Sequence, residues 1–452
     1  MQRTPRWSAA LAALALCAGL AGCGSGHSST RGPAVTAPPR PVSTAVIPPT
    51  DYADAFAGAR AAAGEMPPFA QSLAAGLVAA AGTTGQVAST AAGVRARLTQ
   101  LLVEHVYLEG MLAAAVNHKG ENDALSKSAQ ASVDANAKAL AKVLKSLSVA
   151  PSSSAPAPTP TPAATDASTD DNGDRTSSDF LTAWRAHDAD LLDFAVAAKE
   201  KINADQDQIR SNLGDWSQAT SHALKSMAGG NLRSTDVRYV LDKYVGALTD
   251  SMDSLGKQNG KGYDQLRKAA ANAETVAATL ARAFTRGQKT AGNSDDDASA
   301  LRGRQTYLLT EHVWLTDTVV MAAWTHTKAG AESSPDANAA KLALDDNSKD
   351  LSASLSDVAN PRQQFTFLTS WRTHVNSELD YAAAVRAANT HRADADVAAL
   401  AAYRSTAGSF FAEITDQKLT AAAVSAALSD HIAALTGSIQ ALATALLPAA
   451  GT

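Results

Sequence analysis

The stretch VRARLTQLLVEHVYL at residues 94–108 returns as LRGRQTYLLTEHVWL at residues 301–315, with nine of the fifteen positions identical. Within each stretch, apolar residues recur three or four positions apart, which is typical of a helix with one buried face. A helix that occurs twice in this way predicts a chain built from two copies of one helical unit.

A second, longer match supports the duplication. Residues 180–197 read FLTAWRAHDADLLDFAVA and residues 367–384 read FLTSWRTHVNSELDYAAA, with ten of the eighteen positions identical. The match continues without a gap, so that Trp216 aligns with Tyr403 and Tyr244 aligns with His431. We therefore predict two tandem copies, at residues 51–262 and 263–452.

The rest of the chain also favours helices. Segments rich in Ala and Leu alternate with short breaks, and few of them show the alternation expected of strands. We predict an all-α fold in which each copy is an up-and-down bundle of a lead helix followed by five more. In the second copy the predicted helices span residues 263–286, 298–328, 337–358, 364–388, 393–415 and 420–446.

Two segments hold too few apolar residues to join a packed core. Residues 23–50 and 151–178 are rich in Pro, Ser, Thr and Gly, a composition typical of disordered chain. The first is predicted to be a tether. The second falls where the other copy has only residues 360–362, so we predict a disordered insertion between two helices of the first copy.

The N-terminus carries an export signal. Arg3 and Arg6 precede an apolar run at residues 7–20, and Leu-Ala-Gly-Cys follows at residues 20–23. This pattern resembles the lipobox signal peptide of bacterial lipoproteins. The resemblance implies removal of residues 1–22, lipidation of the Cys23 sulfur, and a body anchored by lipid at the extracytoplasmic face of the cell membrane. The alternative is ordinary secretion with a free thiol at Cys23.

Cysteine count and charge limit the function classes. The only other cysteine, Cys17, lies in the predicted signal, so the mature chain holds no disulfide. The net charge of −5 becomes −7 without Arg3 and Arg6, because residues 1–22 contain no Asp or Glu. Such a body is a poor nucleic-acid binder, and its membrane attachment would rest on the lipid alone.

Histidines on apolar helix faces are the candidate functional residues. In the second copy, His312, His374 and His431 lie on the second, fourth and sixth helices, which run in the same direction in an up-and-down bundle. At 1.5 Å per residue the three side chains share one layer to within about 9 Å. Three imidazoles form a candidate Zn²⁺ or Cu²⁺ site, with a fourth position left for water or for Glu378, one turn after His374.

The first copy offers a weaker version of this site. His105 and His187 hold the positions of His312 and His374, but Tyr244 stands in place of the third histidine. We therefore expect this copy to bind metal weakly or not at all.

A structural role for the histidines is the alternative, and it is the one that the sequence favours. Each imidazole would then be a neutral core group hydrogen-bonded to a neighbour, because buried polar groups need partners. Asn136 and Asn347 fall on apolar helix faces and are candidate partners or second-shell residues. Trp184 and Trp371 are predicted to anchor the core.

No conventional catalytic signature occurs in the chain. It has no HExxH helix, no Gly-x-Ser-x-Gly turn, no Gly-rich phosphate loop and no cysteine nucleophile in the mature body. We therefore expect a protein that is not an enzyme.

The motifs EHVxL, WRxH and HIxxLT resemble those of secreted bacterial helical-bundle proteins of uncharacterised function, in which histidines recur in short motifs such as HVxW and HLxxA. The resemblance implies a helical bundle and no particular activity. Two functional hypotheses remain. The first is a non-catalytic lipoprotein whose helical body binds an envelope protein or a small ligand. The alternative is a Zn- or Cu-binding envelope protein that acts as scavenger, carrier or sensor.

Overall fold

A computed structural model describes residues 48–148, 171–325 and 334–447, with no side chains for residues 171–177. These residues form thirteen α-helices and contain no strand. The all-α prediction is therefore confirmed. The predicted signal peptide, Cys23, nearly all of the tether and most of the insertion lie outside the described residues.

The helices follow one another with short connections. They are α1 (Ala55–Gly64), α2 (Met66–Ala81), α3 (Thr90–Lys119), α4 (Ala124–Leu147), α5 (Asp171–Glu200), α6 (Asn203–Met227), α7 (Ser234–Gly256), α8 (Gly262–Gly287), α9 (Asp297–Trp324), α10 (Pro335–Ala353), α11 (Pro361–Arg386), α12 (Thr390–Ile414) and α13 (Ala421–Leu446). None of these helices combines the length and the apolarity that crossing a membrane requires.

Polar caps set most helix starts. A side-chain oxygen of the capping residue accepts a backbone N–H of the first turn, which satisfies a donor that has no partner inside the helix. Asn360 and Gln363 form a reciprocal capping box at the start of α11, with Pro361 in the first helical position. Similar single caps are Asp54, Ser89, Asp123, Asp296, Ser334, Asn389 and Thr420.

Consecutive helices lie side by side, as expected for an up-and-down bundle. This holds from α3 to α8 and again from α9 to α13. Alternate helices also meet: α3, α5 and α7 contact one another, and so do α9, α11 and α13. Each of these two triplets therefore surrounds a shared interior, and each triplet carries the candidate residues of one predicted copy.

The lead helices pack across the predicted copies. α8 lies against α3 and α7, and its Leu266 occupies the space that a Cβ on Gly110 would fill. α1 and α2 lie against α13 and α9, and Gly76 of α2 meets Leu419 just before α13 in the same way. The six helices α3 to α8 therefore form one packing unit that is continuous in sequence. The other packing unit consists of α1 and α2, which precede it in sequence, and of α9 to α13, which follow it.

Corresponding residues of the two predicted copies make corresponding polar contacts. Arg60 of α1 bonds Glu104 of α3 at 2.7 Å, and Arg267 of α8 bonds Glu311 of α9 at 3.1 Å. Glu311 also accepts hydrogen bonds from Tyr107 of α3 and Tyr307 of α9 at 3.0 and 2.9 Å. A buried carboxylate with these donors links the two packing units at the crossing of α3 and α9.

Candidate metal centre

The predicted residues of the second copy meet in the interior between α9, α11 and α13. His312, His374, His431 and Glu378 form what we call the three-histidine cluster, and each of these four residues is at most 1 % exposed. The Nε2 atoms lie 3.5 Å (His312), 2.8 Å (His374) and 3.5 Å (His431) from Glu378 Oε1. One ligand atom from each residue lies within 4.8 Å of every other. These residues can therefore hold a metal ion.

The spacing agrees with tetrahedral coordination. Zn–N and Zn–O bonds of about 2.0–2.1 Å place tetrahedral ligand atoms about 3.3 Å apart. The three Nε2-to-Oε1 distances lie on both sides of this value. A shell of three imidazole nitrogens and one carboxylate oxygen is thus nearly assembled by the protein alone, without a ligand from solvent.

The cluster lacks the hydrogen bonds that a purely structural role requires. Within the described residues, neither ring nitrogen of His312, His374 or His431 has a hydrogen-bond partner, and neither has Glu378 Oε1. The 2.8 Å contact of His374 with Glu378 is short enough for such a bond but is not oriented for one. Buried polar atoms without partners are rare in native proteins, whereas converging lone pairs are what a cation requires.

Aromatic packing, in place of hydrogen bonding, orients the imidazoles. The His374 ring is stacked on Tyr403 of α12 with centroids 4.5 Å apart. Trp371, one turn before His374 on α11, meets the His312 ring edge-on at 4.9 Å. Trp371 and Trp184 are both buried, in agreement with their predicted role as core anchors.

Burial and neighbouring groups shift the pKa values of His431 and Glu378. Burial is the main cause of a lowered pKa at His431, and neutral imidazole is the form that binds metal. Burial alone would raise the pKa of Glu378, but interactions with His374 and His312 hold it well below its usual range. Its other oxygen, Oε2, accepts a hydrogen bond from Thr316 at 3.4 Å.

The first copy brings together a different set, which we call the two-histidine cluster: His105 on α3 with His187 and Asp188 on α5. Asp188 Oδ1 lies 3.7 Å from His105 Nε2 and 3.1 Å from His187 Nδ1. The predicted member Tyr244 is buried beside them, with its ring centroid 6.2 Å from His105 and 6.1 Å from His187. Asp188 therefore supplies a third candidate ligand atom of this cluster, and Tyr244 packs beside the two imidazoles.

Burial also determines the charges in the two-histidine cluster. It lowers the pKa of His105 to about 4 and that of His187 to about 3, so both imidazoles are neutral. It raises the pKa of Asp188 to about 7. Glu109, one turn after His105 on α3, has its pKa raised well above the usual range by burial and by the nearby Asp188.

The two asparagines do not serve the histidines. Asn136 donates to Leu101 O and to Glu104 Oε1, each at 3.0 Å. Asn347 donates to Leu308 O and to Glu311 Oε2, each at 2.9 Å. The prediction that they are hydrogen-bond partners of the histidines was wrong. Each side-chain amide instead bonds the glutamate directly before a core histidine, which is Glu104 for Asn136 and Glu311 for Asn347.

Sequence reasoning missed Asp188 and Glu109. The alignment pairs Asp188 with Val375 and Glu109 with Thr316, so neither acid recurs in the other copy. Conversely, Leu191 stands at the position of Glu378. For Glu109, four positions after His105, the available signal was that positions four apart share a helix face, whereas Asp188 directly follows His187 and offered no such signal.

Comparison of the chain with protein-family models, with curated proteins and with solved structures gave no match. The residues of the site are therefore the basis for inferring a function.

Proposed function

We propose that the protein is a metal-binding lipoprotein of the cell envelope and that its three-histidine cluster holds a divalent cation. The observation that carries this proposal is the convergence of three Nε2 atoms on Glu378 Oε1 in a fully buried site. A buried carboxylate without hydrogen-bond donors at Oε1 is unfavourable. A cation at the centre of the three-histidine cluster would compensate the negative charge of Glu378.

The donor set indicates which metals fit. Imidazole suits Zn²⁺ and Cu²⁺, and a carboxylate oxygen completes a four-coordinate shell that is common for Zn²⁺. Because the protein would supply all four ligands, no coordination position remains for a substrate. This arrangement favours a scavenger, carrier or sensor over a metalloenzyme.

The proposed address rests on the lipobox at Leu20-Ala21-Gly22-Cys23. A lipid on Cys23 would hold the body at the extracytoplasmic face of the membrane, where metal ions enter the envelope. We expect Cys23→Ala to move the protein from the membrane fraction to an unprocessed or released form, as measured by fractionation and by the mass of the mature chain. Normal processing with unchanged membrane association would exclude a lipid anchor.

Binding of an envelope protein or a small ligand by the helical surface also stays a prediction. Among the described residues, the large exposed apolar side chains are Ile202 just before α6, Tyr239 on α7, Leu342 on α10 and Phe365 on α11.

A melting experiment with Zn²⁺ tests the metal proposal. An ion that binds only the folded state stabilises it by about 2.7 kcal/mol at a hundredfold excess over the dissociation constant. His374→Ala removes one ligand and the ring nearest to Glu378, so we expect most of the Zn²⁺-dependent rise in melting temperature from this site to disappear. The shift should also weaken below pH of about 6.5, where protons compete for imidazole.

The matched control is His391→Ala, because His391 is an exposed histidine on the neighbouring helix α12. It should leave the shift unchanged. Equal shifts in the wild type and in His374→Ala, or no shift in either protein, would show that the three-histidine cluster does not bind Zn²⁺.

A further inference from the structure

The interior between α3, α5 and α7 also brings acidic groups and histidines together. Asp188 Oδ1 lies within 3.7 Å of nitrogens of His105 and His187. Glu109 is fully buried one helical turn after His105, and its carboxyl group interacts electrostatically with that of Asp188. Two imidazoles and two carboxyl groups thus share one interior.

Most of the polar atoms in this interior have no partner. Among the described residues, hydrogen bonds are missing at both ring nitrogens of His105, at His187 Nε2, at both oxygens of Glu109 and at Asp188 Oδ2. The Tyr244 ring lies 6.2 Å from the His105 ring and 6.1 Å from the His187 ring, and its hydroxyl is buried without a partner as well. Unpartnered donors and acceptors beside a group of converging ligand atoms indicate a ligand that the protein is built to hold.

We propose that His105, His187 and Asp188 form a second divalent-cation site, which binds independently of the three-histidine cluster. His187 stacks on Trp216 with centroids 4.1 Å apart, as His374 stacks on Tyr403, so both sites have imidazoles held in place by a neighbouring aromatic ring. The carboxylates, however, come from different positions. Asp188, directly after His187, supplies one here, and Glu378, one turn after His374, supplies one in the other site.

The difference in donors predicts a difference in metal preference. His105, His187 and Asp188 supply three ligand atoms and leave coordination positions open for water oxygens, whereas three imidazoles and Glu378 complete a four-coordinate shell. Oxygen ligands suit Mn²⁺, while imidazole suits Zn²⁺ and Cu²⁺. We therefore expect Zn²⁺ to occupy both sites and Mn²⁺ to occupy only the two-histidine site.

The experiment counts ions bound to the full mature chain after equilibrium dialysis against Zn²⁺ or Mn²⁺ alone. The wild type should hold two Zn²⁺ ions and one Mn²⁺ ion. His374→Ala should retain one Zn²⁺ and one Mn²⁺, and Asp188→Asn should retain one Zn²⁺ and no Mn²⁺. Combining both substitutions should remove all bound metal.

Several variants separate ligand loss from misfolding. Asp188→Asn and Glu109→Gln keep the side-chain shape, and burial already raises the pKa of both acids toward their neutral forms, so the metal-free melting temperatures should not fall. Asp193→Asn changes an exposed acid on the same helix and should leave both counts unchanged. Cu²⁺ spin-resonance spectra should show two coordinating nitrogens in His374→Ala and three in Asp188→Asn.

Each site can fail without the other. If His374→Ala holds no metal while the wild type holds one ion, the second site does not exist and the three-histidine site stands. If Asp188→Asn binds as many Zn²⁺ and Mn²⁺ ions as the wild type, the second site likewise does not exist. If His374→Ala binds as much metal as the wild type but Asp188→Asn binds none, the second site stands and the proposed function of the three-histidine cluster fails.

Discussion

A single acidic side chain close to the three-histidine cluster shows how strongly this interior affects ionisation. Asp317 of α9 is fully buried, and its Oδ2 accepts a hydrogen bond from Ser438 of α13 at 2.8 Å. Burial raises its pKa to about 8, the bond from Ser438 opposes that rise, and the nearby charge of Glu378 adds to it. In the folded protein Asp317 is therefore largely protonated at neutral pH.

This shift predicts a pH-dependent stability. Between pH of about 4 and 8, unfolding releases the proton of Asp317, so this group lowers the free energy of unfolding as pH rises across that window. Asp317→Asn keeps the acceptor for Ser438 and removes the titration. We expect the variant to be more stable than the wild type by on the order of a few kcal/mol at pH 8.

The measurement is urea unfolding in the presence of a chelator, so that metal does not contribute. The advantage of Asp317→Asn should shrink toward pH 4, where the carboxyl also begins to bind a proton in the unfolded state. A gain that is the same at pH 4 and pH 8 would show that the burial of Asp317 does not perturb its ionisation.

Single residues of the candidate site were predictable only where the helix pattern and the alignment agreed. His312, His374 and His431 interrupt apolar faces at matched depths, and Glu378 follows His374 by one turn, so the four could be assigned from sequence. Asp188 could not, because its neighbour His187 lies on the apolar face and adjacent positions point in different directions on a helix. Its side chain reaches the cluster from the side of α5.

At the scale of secondary-structure elements, the crossing of α3 and α9 depends on one buried carboxylate. Glu311 accepts from Tyr107, Tyr307, Asn347 and Arg267, and Arg267 also bonds Asp350 of α10 at 2.7 Å. Arg267 is the only cation among these partners of Glu311. Removing it leaves a buried charge supported by neutral donors alone.

Arg267→Met should therefore lower the free energy of unfolding by about 3 kcal/mol, the lower end of the range for breaking a buried ion pair. Adding Glu311→Gln to the same chain removes the uncompensated charge and should recover much of the loss. The double-mutant comparison is made by urea unfolding of the metal-free protein.

The first copy supplies the matched control. Arg60 pairs with Glu104 in the same way, but its side chain is 25 % exposed compared with 15 % for Arg267, so water solvates the charge better. Arg60→Met should cost less than Arg267→Met. Equal losses, or no recovery in the double variant, would mean that charge burial at Glu311 does not dominate this junction.

Helix positions followed from the sequence more closely than helix partners did. The six helices predicted for residues 263–446 are all present, and the largest difference is that α10 ends at Ala353 instead of residue 358. There the backbone N–H of Ser354 bonds back to Asp350 and Ser352, and turns follow. The apolar face of α8 was equally visible in the sequence, but a hydrophobic pattern specifies which face is buried and not which helix covers it.

At the scale of the whole molecule, this ambiguity is the reason that the composition of the packing units could not be predicted from the sequence. α8 begins the predicted second copy but covers α3 and α7 of the first, while α1 and α2 cover α9 and α13 of the second. The continuous packing unit is thus α3 to α8, which differs from the predicted sequence copy at residues 51–262. The duplication itself stays a prediction from sequence, and it does not decide which piece of chain is stable alone.

Two fragments of similar length separate the sequence copy from the packing unit. Residues 86–290 contain α3 to α8 and retain the contacts of Leu266 with Gly110, whereas residues 51–262 replace α8 by α1 and α2 and leave the apolar surfaces of α3 and α7 uncovered. Exposed apolar surface costs about 25 cal/mol per Å². In residues 51–262 the loss of α8 therefore costs more than α1 and α2 contribute, because their main partners α13 and α9 are absent from that fragment. We expect residues 86–290 to melt cooperatively at a higher temperature, as followed by circular dichroism. If residues 51–262 were as stable, the contacts of α8 with α3 and α7 would contribute little, and the sequence copy would be the folding unit.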